Sequence, residues 1–281
     1  MSDFGYSTGA TLFKTYGGVA ASSLGTTITA PGSVNTKGAW AQIVASTDFP
    51  AVGIIVALQI EPGSGDTQQL IDVGVGAAAS EVVIVPNLLT NRCTSAEGAK
   101  WKVYIPVAIP AGTRVAMRYQ SNGTAPVIYA TVAIVGGQAK RQILSPGKCT
   151  DYGSATGTSV GQTVDPGGTI NTEGAYTQIV ASTTYAIRGL IVCLGNLTTG
   201  AGNPRWLADL AVGAGGSEQI VIADLMHSNP GPAGGGGHAS DNGWHYLPMA
   251  IPAGTRIAMR AQCSINTASD RNLTCNVIGV S

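Results

Sequence analysis

Two sets of side chains in this 281-residue chain stand out as able to do acid–base or metal chemistry. The first group recurs: Asp72 and Asp209, Glu81 and Glu218, Arg114 and Arg256, Arg118 and Arg260. A carboxylate at one strand position and arginines at another are the parts of an ion pair across neighbouring strands. The same carboxylates would serve catalysis only with a second group at working distance, and neither copy supplies another nucleophile or base. Structural ion pairing is the expectation for all eight, with no catalytic residue and no cofactor. The second group occurs once. His238, Asp241 and His245 carry metal-ligating side chains, while Trp206, Trp244 and Tyr246, with His238, are residues that could hold a sugar ring. Aligned on the Pro-Ala-Gly turn described below, His245 falls on Val103, the face of Ile105 and Val107, and Trp244 falls on Lys102. That register argues against a metal site and leaves a glycan platform in the second half of the chain as the alternative to a purely structural role.

Three short motifs lack the context their chemistry needs. Gly5-Tyr6-Ser7-Thr8-Gly9 has the G-x-S-x-G spacing of serine hydrolases but lies in a terminal segment without a flanking strand and helix. Gly74-Val75-Gly76-Ala77-Ala78-Ala79 approximates a dinucleotide fingerprint, yet strand-like residues 81–86 follow it instead of a helix. Gly234 to Gly237 is not followed by Lys-Ser or Lys-Thr, so it is no phosphate loop. Both Gly-rich stretches read as turns.

The elements that must position the recurring group are written in a repeated stretch. Residues 105–118 read Ile-Pro-Val-Ala-Ile-Pro-Ala-Gly-Thr-Arg-Val-Ala-Met-Arg, and residues 247–260 read Leu-Pro-Met-Ala-Ile-Pro-Ala-Gly-Thr-Arg-Ile-Ala-Met-Arg. Pro presets φ inside a turn and Gly relieves its exit, so each copy predicts a β corner or hairpin between two strands. In the second strand Val115, Met117 and Tyr119 alternate with Arg114, Ala116 and Arg118, giving an apolar face and an arginine face.

The duplication extends well beyond this stretch. Gln42-Ile43-Val44-Ala45-Ser46-Thr47 recurs unchanged as residues 178–183, an offset of 136. The offset is 137 at Asp72 and Asp209, 142 at the Pro-Ala-Gly turn, and 143 at residues 134–136 against 277–279. This predicts an arm over 1–15, a first unit over 16–136, a linker over 137–151 and a second unit over 152–281. Strands are expected near 26–29, 39–46, 53–60, 69–75, 81–85, 101–109, 113–120 and 127–135. Eight short strands between Gly, Pro, Asn and Ser clusters predict an all-β chain of two tandem antiparallel β-sandwiches, with the jelly roll as leading topology. An immunoglobulin-like sandwich is the alternative and lacks its Cys-Trp-Cys pattern.

Composition restricts the function classes. Charged residues make up 11%, against roughly 25% in an ordinary soluble domain, and 15 basic side chains balance 15 acidic ones. No basic patch for nucleic acid is expected. No apolar run approaches the roughly 18 to 20 residues of a membrane span. Residues 1–5 lack a basic and an apolar segment, which predicts a protein made and kept in a cytoplasm or released by lysis. A mean hydropathy of +0.21 with so few charges predicts an exterior partly covered by neighbours, hence a homo-oligomer. Five cysteines without metal-type spacing predict neither a zinc site nor a disulfide framework, with Cys263 and Cys275 read as reduced thiols.

At Ile-Pro-Ala-Gly-Thr-Arg-Ile/Val-Ala-Met-Arg the chain resembles accessory structural proteins of tailed bacteriophages, which carry similar short strands in all-β units. The resemblance implies a place in the virion, decorating the capsid or in the tail, neck or fibre apparatus, with other virion proteins as partners. No site residue comes with it. These readings together predict a non-enzymatic virion structural protein. The alternative is a carbohydrate-binding module for host attachment, whose ligand would be a host surface glycan.

Overall fold

The computed structural model describes residues 12–19, 24–61, 67–92, 99–136, 148–196, 203–228 and 243–281. The first unit contains β1 (Phe13–Tyr16), β2 (Thr26–Ile28), β3 (Ala41–Val44), β4 (Ala51–Ile60), β5 (Thr67–Val75), β6 (Val82–Arg92), β7 (Ala99–Ile105), β8 (Val115–Ser121) and β9 (Ile128–Gly136). The second contains β10 (Cys149–Tyr152), β11 (Gln162–Val164), β12 (Thr177–Val180), β13 (Gly189–Asn196), β14 (Arg205–Val212), β15 (Gln219–Ser228), β16 (Trp244–Leu247), β17 (Ile257–Cys263) and β18 (Leu273–Val280).

Each unit is a sandwich of two antiparallel sheets. In the first, β1 and β2 both pair with β9 in the order β1-β9-β4-β7, opposite β3-β8-β5-β6. The second repeats this as β10-β18-β13-β16, with β11 also on β18, opposite β12-β17-β14-β15. This strand order is the jelly roll, in which the chain crosses repeatedly between sheets, apart from the β5–β6 and β14–β15 hairpins, so that both inner faces share one core. Ile54, Val56, Leu58 and Ile60 of β4 meet Val115, Met117 and Tyr119 of β8 in the first core. Leu190, Val192 and Leu194 of β13 meet Ile257 and Met259 of β17 in the second.

The two sequence motifs common to both units meet in space. The Pro-Ala-Gly stretch is a corner and not a hairpin, because β7 pairs with β4 in one sheet while β8 pairs with β3 and β5 in the other. Thr47, at the end of the Gln-Ile-Val-Ala-Ser-Thr run, pins that corner. Its hydroxyl donates to Pro110 O (2.8 Å) and accepts from Thr113 N (3.0 Å), and its carbonyl accepts from Gly112 N (2.7 Å). Thr183 repeats all three contacts, with Pro252 O (2.9 Å), Thr255 N (3.1 Å) and Gly254 N (2.8 Å). A buried hydroxyl has to be satisfied, which explains why both motifs persisted together.

Strand pairing changes the alignment of the last strand. Val56 faces Val132 and Val192 faces Val277, so the offset there is 145 and Ile134 corresponds to Gly279, not to Val277. Gly25 and Gly161 agree, since a Cβ on either would strike the carbonyl oxygen of Ala130 or Cys275 respectively. The frame also begins earlier than the hydropathy pattern indicated. Phe13 to Thr15 and Cys149 to Asp151 are strand residues, within the segments expected as arm and linker. Strand β6 continues past residue 85 to Arg92, through a register shift that leaves Asn87 at φ 51°; Asp224 repeats this at 56°.

Candidate functional site

All eight recurring charged residues come together as four pairs. Arg114 Nη1 lies 2.6 Å from Glu81 Oε1, and Arg118 Nε lies 3.0 Å from Asp72 Oδ2. In the second unit Arg256 Nη1 reaches Glu218 Oε1 at 3.0 Å and Arg260 Nη2 reaches Asp209 Oδ2 at 3.0 Å. Arg114 also spans Gln42 and Gly76 O, as Arg256 spans Gln178 and Gly213 O, which ties the outer strand β3 or β12 to the turn after β5 or β14. The Arg118 guanidinium lies 4.4 Å from the Trp40 ring and that of Arg260 4.8 Å from the Tyr176 ring. Desolvation raises the Glu81 carboxyl, but hydrogen bonds from Arg114 and backbone N–H groups outweigh it and hold it below the ordinary 4.5. Its own backbone N–H and Arg256 likewise hold Glu218 down against burial. Both carboxylates are held in the charged state by their partners.

The frame differs at one position. Lys37 donates to Asp72 Oδ1 (2.8 Å), Leu70 O (3.0 Å) and Asn87 Oδ1 (2.8 Å). Its counterpart Glu173 instead lies 2.5 Å from Arg260 and beside Asp209. From Asn87 the polar network of the first unit crosses into the second: Asn87 Nδ2 donates to Asp151 Oδ2 (2.9 Å), and Asn276 Nδ2 donates to Asp151 Oδ1 (2.9 Å) and Asn87 O (2.7 Å). Burial pushes the Asp151 carboxyl up against these hydrogen bonds, and burial pushes Lys37 down. Sequence reasoning missed Lys37, Asn87, Asp151 and Asn276. It ranked residues by recurrence, and this network crosses the units once, so its members are not repeated.

Of the aromatic residues read as a glycan platform, Trp206 and Trp244 are buried on different strands, and Tyr246, two residues from Trp244, is half-buried. Trp206, on β14, is 1% exposed, stacks on His227 with centroids 5.6 Å apart, and donates Nε1–H to Arg271 O at 2.6 Å. Trp244, on β16, is 2% exposed between the units, donating Nε1–H to Leu89 O (2.6 Å) with its ring 5.6 Å from that of Trp101. Tyr246 packs edge-on against Tyr104 at 5.8 Å. A ring buried in protein has no open face for a sugar, so that reading is corrected for Trp206 and Trp244. His238 and Asp241, like residues 5–9 and 234–237, lie outside the described residues. His245 is half-buried, and burial lowers its pKa. Cys263 and Cys275 are free, on strands of opposite sheets, and burial pushes Cys275 up to about 12.

An open concavity lies elsewhere, on the outer face of the β4-β7-β9 sheet of the first unit. It has a volume of about 740 Å³ and is lined by Val19, Leu24, Gly25, Ala57, Lys102 and Thr131, among others. The same face of the second unit is covered. Every residue of β13 and β18 is buried, because the core lies on one side and the first unit on the other. In β4 of the first unit, by contrast, Ile55 and Ala57 are half-buried and Gln59 is exposed.

No family model matches the chain, and no curated protein matches it in sequence. Among solved structures it is similar to PNGF-II, at 7% identity and a TM-score of 0.39 over 85% of this chain; it spans 59% of that one. It is similar to a peptide-N(4)-(N-acetyl-beta-D-glucosaminyl) asparagine amidase at 11% identity and a TM-score of 0.33, over 86% of this chain and 89% of that one. It is also similar to infectious bursal disease virus Gx strain at 12% identity and a TM-score of 0.22, over 84% and 57%. The second of these is an enzyme by name, and the expectation that this chain is not one is withdrawn. A fold without a recognisable catalytic motif is no ground for excluding activity.

Proposed function

We propose that this chain is a structural component of a tailed-phage particle, assembling through the outer faces of its jelly rolls on the capsid exterior or in the tail, neck or fibre apparatus. The observation that carries this reading is the pair of equivalent sheet faces. One is a protein–protein interface within the chain, and the other is a groove of about 740 Å³. The recurring charged residues support it, because they are consumed in holding each sandwich together. So does the low charge content, and the Pro-Ala-Gly-Thr-Arg resemblance supplies the phage context.

The test is a reconstruction of purified particles together with sedimentation of the isolated chain across a concentration range. Paired jelly-roll density on the particle, and a mass above 28.4 kDa in solution, are the expected results. A chain that stays at 28.4 kDa at every concentration and is missing from particles would end this reading.

A further inference from the structure

The interface inside the chain has a plug and a socket, and each has an exposed counterpart. The plug is the outer edge of the first unit. Leu89 of β6 is fully buried: its carbonyl accepts from Trp244, its side chain occupies the space beside Gly161, and the Cys193 thiol lies against its backbone. Around it, Gln68 Nε2 donates to Thr274 Oγ1, and Gln120 Nε2 donates to Thr156 O (2.6 Å) and Ser159 Oγ (2.8 Å). The socket is therefore the outer face of β13, β16 and β18, with the Ala155–Val160 turn as its wall.

Strand pairing translates each part into the other unit. Leu89 faces Leu70 on β5 as Met226 faces Leu207 on β14, so Met226 is the second unit's counterpart of the plug. It is 65% exposed, on a strand that also exposes Ile220 and Val221. Gly161, Cys193 and Trp244 translate into Gly25, Ala57 and Lys102, and the Ala155–Val160 bridge into the Val19–Leu24 bridge. Those residues line the groove of the first unit.

We propose that this groove takes the β15 edge of a second copy of the chain, with Met226 seated as Leu89 is seated within the chain. This rests on the assembly reading above and names its surface. The polar contacts can follow the same template. Where Asn87 donates to Asp151, the Asp224 carboxylate can accept from the Thr15 hydroxyl, and Lys102 offers an N–H donor at the register of Trp244. The contact is heterologous: each copy offers one groove and one edge, so copies add head to tail and close into a ring or extend as a filament.

Paired cysteines test it, in a Cys93→Ser background of the full chain. Met226→Cys on one preparation and Ala57→Cys on another, mixed and oxidised, should give a covalent dimer that reduction reverses. Neither alone should cross-link, and both substitutions on one chain should give a ladder. The absence of a mixed dimer, or Met226→Cys pairing with itself, overturns the proposal. Met226→Asp is the second probe. With an unchanged melting temperature it should weaken self-association about tenfold or more, because an unpaired charge would enter the groove; undiminished self-association overturns the proposal. A wild type that stays at 28.4 kDa yet sits on particles assigns the groove to a different particle protein and sinks this inference alone. A wild type that is monomeric and absent from particles sinks the assembly reading with it.

Discussion

The outer face of the β4-β7-β9 sheet and that of the β13-β16-β18 sheet come from one duplicated ancestor and have opposite surroundings. At corresponding positions the covered face has Cys193, Gly195, Trp244 and Asn276, while the open face has Ala57, Gln59, Lys102 and Thr131. The backbone order is the same on both sides, so the difference lies in side chains alone. Trp244 and Asn276 present donors to the carbonyl oxygens of Leu89 and Asn87, and Gly195 lets Asn91 and Gln68 approach. Duplication thus preserved what folds each unit and changed what covers it.

The largest test of that contrast is a matched pair of substitutions at one register. Trp244→Ala empties a buried site and orphans the Leu89 carbonyl, at a cost of about 3–5 kcal/mol. Lys102→Ala, on the exposed face, should change stability by about 0.5 kcal/mol or less. Denaturant unfolding of both variants measures the difference. Equal effects would mean that the two faces are energetically alike and that the interface within the chain contributes little.

A pH experiment sharpens the same contrast through Asp151. Its counterpart in the first unit is Thr15, which has nothing to titrate in this range. Burial between the units raises the Asp151 carboxyl above its ordinary 3.8, against hydrogen bonds from Asn87, Asn276 and Ser154 and the charge of Lys37. The folded chain therefore holds that proton more tightly than the unfolded chain. Stability from this group falls as pH rises from 3.8 to the higher native value, and is constant outside that window. Asp151→Asn lacks the titration, so its melting temperature relative to wild type should climb with pH across the window and then level off. Melts between about pH 3.5 and 7 would show it; a difference that stays flat would mean that Asp151 is not desolvated by the first unit.

The fold was largely legible because its signals are local and doubled. Alternating apolar residues, the Pro-Ala-Gly corner and the duplicated run ending in Thr47 and Thr183 each report on a strand or turn that both units need. What covers a sheet is not local. Residues 189–196 read as a continuous apolar strand, Gly-Leu-Ile-Val-Cys-Leu-Gly-Asn, but 53–60 read almost the same, Gly-Ile-Ile-Val-Ala-Leu-Gln-Ile, and only one of them is buried on both faces. Trp244 was misread for a related reason. An aromatic beside a Gly-rich loop looks the same in sequence whether it awaits a ligand or is already capped by the other unit. The informative sign was its replacement by Lys102 in the other copy, which marks a change of surroundings and not of fold.

Glu173 gives the smallest and most local test of the comparison. In the first unit the frame carboxylate Asp72 has two cations, Lys37 and Arg118. In the second, Asp209 shares Arg260 with Glu173, so two carboxylates compete for one guanidinium. Burial and the hydrogen bond with Asp209 raise the Glu173 carboxyl above its ordinary 4.5, while Asp209 is lowered. The proton that eases the repulsion thus resides on Glu173, and the penalty for its loss grows as pH rises through 4.5. Glu173→Gln keeps the hydrogen-bonding shape and removes the competing charge. The site is 37% exposed, so solvent screening limits the gain at neutral pH to about 0.5 kcal/mol or less. The gain should vanish below 4.5, where the wild-type carboxyl is itself protonated. A loss of stability at neutral pH would instead make the Arg260–Glu173 pair a net support, and the two frames would then be equivalent despite their opposite charges at this position.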